Sequence, residues 1–183
     1  MELLDVLDEQ GNLTGKVEER KIVHEEGLWH IHVGIWLMNE EGKLLFQKRS
    51  TNKKRNPSKW TRAGGHVDSG ETPILGIQRE VKEEIGVKIP QDKFELIKID
   101  KTIEDKNNHH FTYNYFAYVN YKIEDYTMQK EEVSDLKYIS IEEMEKIKKN
   151  NDENYTFIKW NNFDSIILML KEKRNKIKIY DKK

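Results

Sequence analysis

Residues 65–87 read GHVDSGETPILGIQREVKEEIGV, and the fold is decided there. Thr72 before Pro73 has the form of an N-cap and first helical position, since proline lacks an amide proton that the first turn could not use and its φ is already helical. Gly86 is the matching stop, so the pattern predicts a helix from Pro73 to Ile85. At about 100° per residue, Ile74, Ile77, Val81 and Ile85 fall on one apolar stripe, and Glu80, Glu83 and Glu84 gather beside it. Acids spaced i, i+3 and i+4 repel one another by about 0.2–0.5 kcal/mol per pair on an exposed helix. Two readings answer that repulsion: a divalent cation held by oxygen alone, for which Mg²⁺ or Mn²⁺ fits, or a solvated acidic face paired with Arg79 and Lys82. Ahead of the helix, Gly64, Gly65 and Gly70 bracket a turn in which backbone can come close to a ligand.

Working outward, Trp29, Ile31, Val33, Ile35 and Leu37 are apolar at every second position, the period of a strand with one buried face. Asn39 to Gly42 supplies a turn and Leu44 to Phe46 a return strand, hence a hairpin. A strand is expected over residues 3–8 and a short helical or irregular segment at 19–26. A short strand follows near Phe94 to Ile99, then a long one through Phe111, Tyr113, Tyr115, Ala117 and Val119, and another at Leu136 to Ile139. Ser140 and Glu143 have capping-box spacing for a helix to about Lys149. Phe157, Trp160, Phe163, Ile167 and Leu170 predict a terminal amphipathic helix. The reading is one α/β domain over residues 1–183, with an N-terminal strand-and-turn segment at 1–28 and a frayed Lys-rich tail at 171–183.

Composition narrows the function. The 32 Lys+Arg against 33 Asp+Glu give a net charge of -1, which argues against a dedicated nucleic-acid binder. The absence of cysteine excludes disulfides, thiolate metal sites and cysteine nucleophiles. No basic leader precedes an apolar run and no stretch approaches the roughly 18 apolar residues of a membrane span, so a soluble cytoplasmic protein acting without a membrane is expected.

Gly65, five residues, Glu71, seven residues, then Arg79-Glu80-Val81-Lys82-Glu83-Glu84-Ile85-Gly86-Val87 matches every fixed position of the Nudix box, a 23-residue pattern. The chain therefore resembles the Nudix hydrolases. The resemblance implies the Nudix fold, an α/β/α sandwich around a mixed sheet, and hydrolysis of a nucleoside diphosphate joined to another moiety. It also implies Mg²⁺ or Mn²⁺ held by Glu80, Glu83 and Glu84 with the Gly65 carbonyl. Glu83 and Glu84 would serve catalysis, and Arg79 with Glu71 would hold the loop to the helix. A metal-activated water attacks phosphorus in such a scheme. Its base is a box glutamate or an acid outside the box, with Glu131 and Glu132, or Glu104 and Asp105, as candidates; either pair reads equally as solvated loop charge.

From Lys48 to Arg62 there are seven basic residues and no acid, a field that would attract a small phosphorylated substrate. Lys48, Arg49 and Arg62 are the candidate substrate contacts. Trp60 is available to stack on a base, although a core role fits it better. The N-terminal half also resembles the type I isopentenyl-diphosphate isomerases. His24, the Trp29-His30 pair, Lys48-Arg49 and His66 fall in the isomerase pattern, in which three histidines help bind a metal. That activity needs a cysteine and an acid, yet the chain has no cysteine and reads His109-His110-Phe111-Thr112 where isomerases carry paired glutamates. Three functions stay open: hydrolase, isomerase-like enzyme, and a nucleotide-binding module without turnover.

Overall fold

The computed structural model describes residues 2–180, which gather into two compact units: residues 2–35, 63–82 and 88–117, and residues 36–62, 83–87 and 118–180.

In the first unit β1 (Leu3–Leu7) and β2 (Leu13–Glu19) form an antiparallel hairpin. Its turn is closed by Asp8, whose carboxylate accepts the amides of Gln10 and Asn12, the local bonding that suits aspartate to turns. Helix α1 (Arg20–Glu26) follows and stops at Gly27. Leu4 and Val6 pack with Val23 and Leu28 into a small apolar cluster. β3 (Trp29–Met38) meets β1 at Leu7 opposite Trp29, and takes β6 (Gly64–His66) antiparallel, with His32 opposite His66 and Gly34 opposite Gly64. β7 (Glu95–Asp105) and β8 (Asn108–Tyr118) are a long antiparallel hairpin.

In the second unit the chain turns from the end of β3 into β4 (Leu44–Arg49), as the alternation and the Asn39–Gly42 turn predict. β5 (Trp60–Thr61) and β9 (Val133–Ile139) flank β4 on its two edges, both antiparallel. The Val119 amide donates to the Met38 carbonyl at 2.9 Å while His110 lies beside His32 at the other end, so β8 runs parallel to β3 and the sheet is mixed. Helix α3 (Ile141–Lys149) opens on the expected capping box of Ser140 and Glu143. Trp36, Phe46, Phe157 and Ile141 are almost wholly buried, and each such side chain removed from water stabilises the fold by about 1.5–3 kcal/mol.

Helix α2 (Pro73–Ile85) has the bounds that its caps predict. The Thr72 carbonyl accepts the Gly76 amide at 2.9 Å, and Gly86 sits at φ 76°.

One strand was not foreseen and three expectations need correction. β2 has no apolar alternation, every residue being exposed or half-exposed, and exists through its pairing with β1. The strand foreseen at 94–99 runs to Asp105 because β8 pairs along its whole length. The turn read at Gly64 to His66 is strand β6. The terminal helix is broken: a 3₁₀ turn at Thr156–Lys159 precedes α4 (Phe163–Tyr180), with Trp160 extended between them. Lys148 Nζ donates to the carbonyls of Ile158 and Trp160, occupying acceptors that a continuous helix would use, and Phe157 stacks on Phe163 at 5.5 Å. Beyond Leu170, α4 continues to Tyr180. Lys171 and Arg174 pair with Glu145 and Glu142 of α3, and Lys173 is buried; residues 181–183 of the expected tail lie outside the described residues.

Ser140→Ala removes the acceptor of the Glu143 amide. It should lower stability by about 1 kcal/mol, read from the denaturant midpoint at unchanged slope.

Candidate active site

Two glycines bring backbone and carboxylate together. Gly64 has φ 153°, and a Cβ there would lie 2.2 Å from the Val33 carbonyl oxygen, so the pairing of β6 with β3 admits no side chain at that position. At Gly65 the space a Cβ would fill is taken by the Glu80 carboxylate, whose Oε1 would be 2.4 Å from it. The acid of α2 therefore rests directly on the backbone of β6.

Arg79 fixes that arrangement. Its Nη2 donates to Glu71 Oε2 at 3.0 Å and to the His66 carbonyl at 2.9 Å, and its Nη1 donates to Glu80 Oε1 at 2.9 Å. Glu71 also accepts the Asp68 amide. The structure thus brings Arg79 and Glu71 together across the 66–71 loop. Burial alone would push the Arg79 guanidinium down, but its hydrogen bonds to Glu71 and the charge of Glu80 outweigh it and hold the group firmly charged.

The three box acids sit in different environments along one helix. Glu80 is mostly covered, Glu83 is exposed, and Glu84 is buried with its Oε2 accepting from Gln47 Nε2 at 2.9 Å. Gln47 is itself buried, and the sequence reading missed it. Its signal is a lone amide in the apolar run of Leu44, Leu45 and Phe46. Strand alternation then sends Lys48 to the other face, where its Nζ lies 5.9 Å from the Trp60 ring.

The remaining basic candidates are engaged locally. Arg49 Nε donates to the Arg55 carbonyl at 3.0 Å. The Arg62 guanidinium lies between the rings of Trp36 and Trp160, 5.2 and 5.3 Å from their centroids. Lys53 pairs with Glu132. Trp60 is buried, stacks on Tyr155 and carries Lys137 Nζ 3.9 Å from its centroid, so it serves the core. Glu131 is exposed and Glu132 half-buried on a loop hydrogen-bonded to the end of α2, the Thr127 amide donating to Ile85 and the Gln129 amide to Glu84. Glu104 and Asp105 are committed to the β7–β8 turn, accepting from Asn108 and Asn107.

With this geometry in view, the similarities to known proteins are informative. Residues 28–161 match the NUDIX domain model, and the chain belongs to that family. It is 36% identical to an uncharacterized Nudix hydrolase of Clostridium acetobutylicum, across 78% of this chain and 72% of that protein. It is 37% identical to Nudix hydrolase 3 of Arabidopsis thaliana across 84% of this chain, which spans only 21% of the plant protein. An isopentenyl-diphosphate Delta-isomerase of Citrobacter koseri is 39% identical over 46% of this chain and 47% of its own. A crystal structure from Deinococcus radiodurans superposes with TM-score 0.71 at 20% identity, covering 92% of this chain and 99% of that one. The fold is the mixed α/β Nudix fold. No helix among the described residues is long and apolar enough to cross a membrane.

Gly65→Ala tests the seat of Glu80. The atom a new methyl would strike is the end of a flexible side chain, so the thermal midpoint should hardly move while the Glu80 carboxylate is displaced. Turnover of whatever phosphoanhydride the protein hydrolyses should fall sharply; a normal rate at normal stability would show that this contact does not matter.

Proposed function

We propose that this protein is a metal-dependent hydrolase of the diphosphate bond in a small nucleoside diphosphate derivative or nucleoside di- or triphosphate. The observation that carries the reading is the Glu80 carboxylate seated on the Gly65 backbone and gripped by Arg79, which also binds Glu71. The donor set suits Mg²⁺ or Mn²⁺, because Glu80, Glu83, Glu84 and the Gly65 carbonyl offer oxygen only. When bound there, such an ion supplies charge neutralisation for phosphate oxygens and acidification of water.

The protein's own groups do the rest. Arg79 and Glu71 keep the loop rigid against α2, so the acids meet a substrate already positioned. Gln47 fixes the rotamer of Glu84, and the exposed Glu83 stays open to solvent and substrate. Proton acceptance from the attacking water falls to the loop tied to the end of α2, and to Glu131 before Glu132, whose carboxylate is taken by Lys53. Arg49, Arg62 and Lys48 supply a positive field rather than aimed contacts. The Nudix domain of Shewanella oneidensis NrtR, solved with ADP ribose, shares the fold at 21% identity and TM-score 0.52; ADP-ribose belongs among the compounds to try.

Phosphate-release assays over nucleoside diphosphate derivatives with Mg²⁺ and with Mn²⁺, coupled to product identification, test the reading. At least one compound should be cleaved in wild type, and Glu83→Gln should lose orders of magnitude in turnover with an unchanged circular dichroism spectrum. Near-normal cleavage by that variant would remove Glu83 from the machinery, and saturable binding without cleavage would favour a nucleotide-binding module.

The isomerase reading is favoured by one feature, the meeting of His24, His30 and His66 in space. Moving a proton across a double bond needs two placed acid/base groups, and the segment His109-His110-Phe111-Thr112 lacks the paired glutamates that the isomerases carry there. Isopentenyl diphosphate incubated with the protein and Mg²⁺ in deuterated water should therefore return without deuterium. Formation of deuterated dimethylallyl diphosphate would reverse the assignment.

A further inference from the structure

The loop that leads from β6 into α2 is gripped at its tip by a strand from the start of the chain. Residues 68–71 close a turn: the Glu71 amide donates to the Asp68 carbonyl at 2.9 Å, and Gly70 sits at φ 78°, the positive φ that a type II turn has at its third residue. That turn bond leaves the Gly70 amide unused, and Asp5 of β1 takes it. Asp5 Oδ2 accepts the Gly70 amide at 3.0 Å, and Oδ1 accepts the Ser69 hydroxyl at 2.7 Å. The Ser69 amide also donates to the Leu3 carbonyl at 2.8 Å. Both carboxylate oxygens of one β1 residue are thus committed to the two residues at the tip of the turn.

The rest of the loop shows why the tip needs an outside partner. Its entrance is fixed where buried Val67 donates its amide to the Ile31 carbonyl and packs under Gly76 of α2. Its exit is fixed where Glu71 binds Arg79. Between these points Asp68, Ser69 and Gly70 offer no apolar side chain to bury. The tip is nonetheless coupled to the site, because Glu71 Oε2 reaches back to accept the Asp68 amide at 3.3 Å. A shift of the turn therefore carries the Glu71 carboxylate with it, and Arg79, which holds Glu71, also holds Glu80 on Gly65.

We infer that Asp5 is a positioning residue for the α2 site: it fixes the 68–71 turn from outside, and so fixes where Glu71 meets Arg79 and where Arg79 seats Glu80. The inference rests on the reading of the α2 carboxylates as metal ligands, and it adds a part that precedes the family domain at residues 28–161. Hydrogen bonds to a carboxylate are stronger than neutral ones, which suits Asp5 to hold a turn that has no packing of its own. Groups that orient metal-binding carboxylates from behind alter affinity or activity by about 10- to 100-fold when removed.

The test measures Mn²⁺ affinity by water-proton relaxation, and amide hydrogen exchange at residues 68–71, on the full chain. In Asp5→Ala the Gly70 amide should exchange faster and Mn²⁺ should bind about 10- to 100-fold more weakly. On any compound that wild type cleaves, kcat should fall with KM little changed. Ser69→Ala, which keeps the Gly70 bond, should lie between Asp5→Ala and wild type. Asp5→Asn should stay near wild type, since its carbonyl can accept the Gly70 amide while its amide donates to the Ser69 hydroxyl, an oxygen able to accept as well as donate. Asp8→Ala is the control: it opens the β1–β2 turn and lowers stability, but should leave Mn²⁺ affinity unchanged. If Asp5→Ala binds Mn²⁺ as tightly as wild type, or no more weakly than Asp8→Ala does, the inference is overturned. Wild type that binds no Mn²⁺ and cleaves nothing would overturn the metal reading, and this inference with it.

Discussion

Arg79 carries its charge into a gap between a loop and a helix where, without it, two carboxylates and a backbone carbonyl would face one another. Its guanidinium binds Glu71, Glu80 and the carbonyl of His66 at once. Charge-assisted bonds of this kind are shorter and stronger than neutral ones, and the planar fork fixes direction as well as distance. The path of residues 66–71, the seat of Glu80 on Gly65 and the start of α2 all follow from that one side chain. Lysine, a point charge with three rotatable donors, could not hold the same three acceptors in one plane.

The acids that share α2 are differentiated by what lies opposite each. Glu80 is held by a cation, Glu84 by a neutral amide in the dark of the core, and Glu83 meets water. A helix with three equivalent carboxylates would be a repulsive face and nothing more. Here packing gives one acid a fixed orientation, buries a second and leaves a third exposed.

Much of this was legible in the sequence because it is local. The caps of α2, the capping box at Ser140 and the alternation of β3 are encoded within a few residues of where they act. The Arg79 and Glu71 pair was available from the family resemblance and is seen as a contact. What stayed hidden depends on partners distant in the chain. Gln47 meets Glu84 across 37 positions, and a single polar residue in a strand carries no period. The break at Trp160 is made by Lys148 reaching two carbonyls, whereas the apolar spacing alone reads as one helix. β2 is a strand only by virtue of its neighbour, and although the family resemblance already grouped His24, His30 and His66, the packing of His32 and His110 against them shows only once β3, β6 and β8 are aligned.

The tryptophans are distributed so that each unit carries its own optical probe. Trp29 lies in the first unit under the ammonium of Lys101, 4.6 Å from its ring centroid. Trp36 and Trp160 clasp Arg62 in the second, with Trp60 stacked on Tyr155 nearby. Trp29, Trp36 and Trp60 are all shielded from water, so their emission is blue-shifted while their surroundings stay folded. With phenylalanine in place of the other three, Trp29 becomes a fluorescent report on the first unit alone, and whether the two units melt together or in sequence becomes a spectroscopic question.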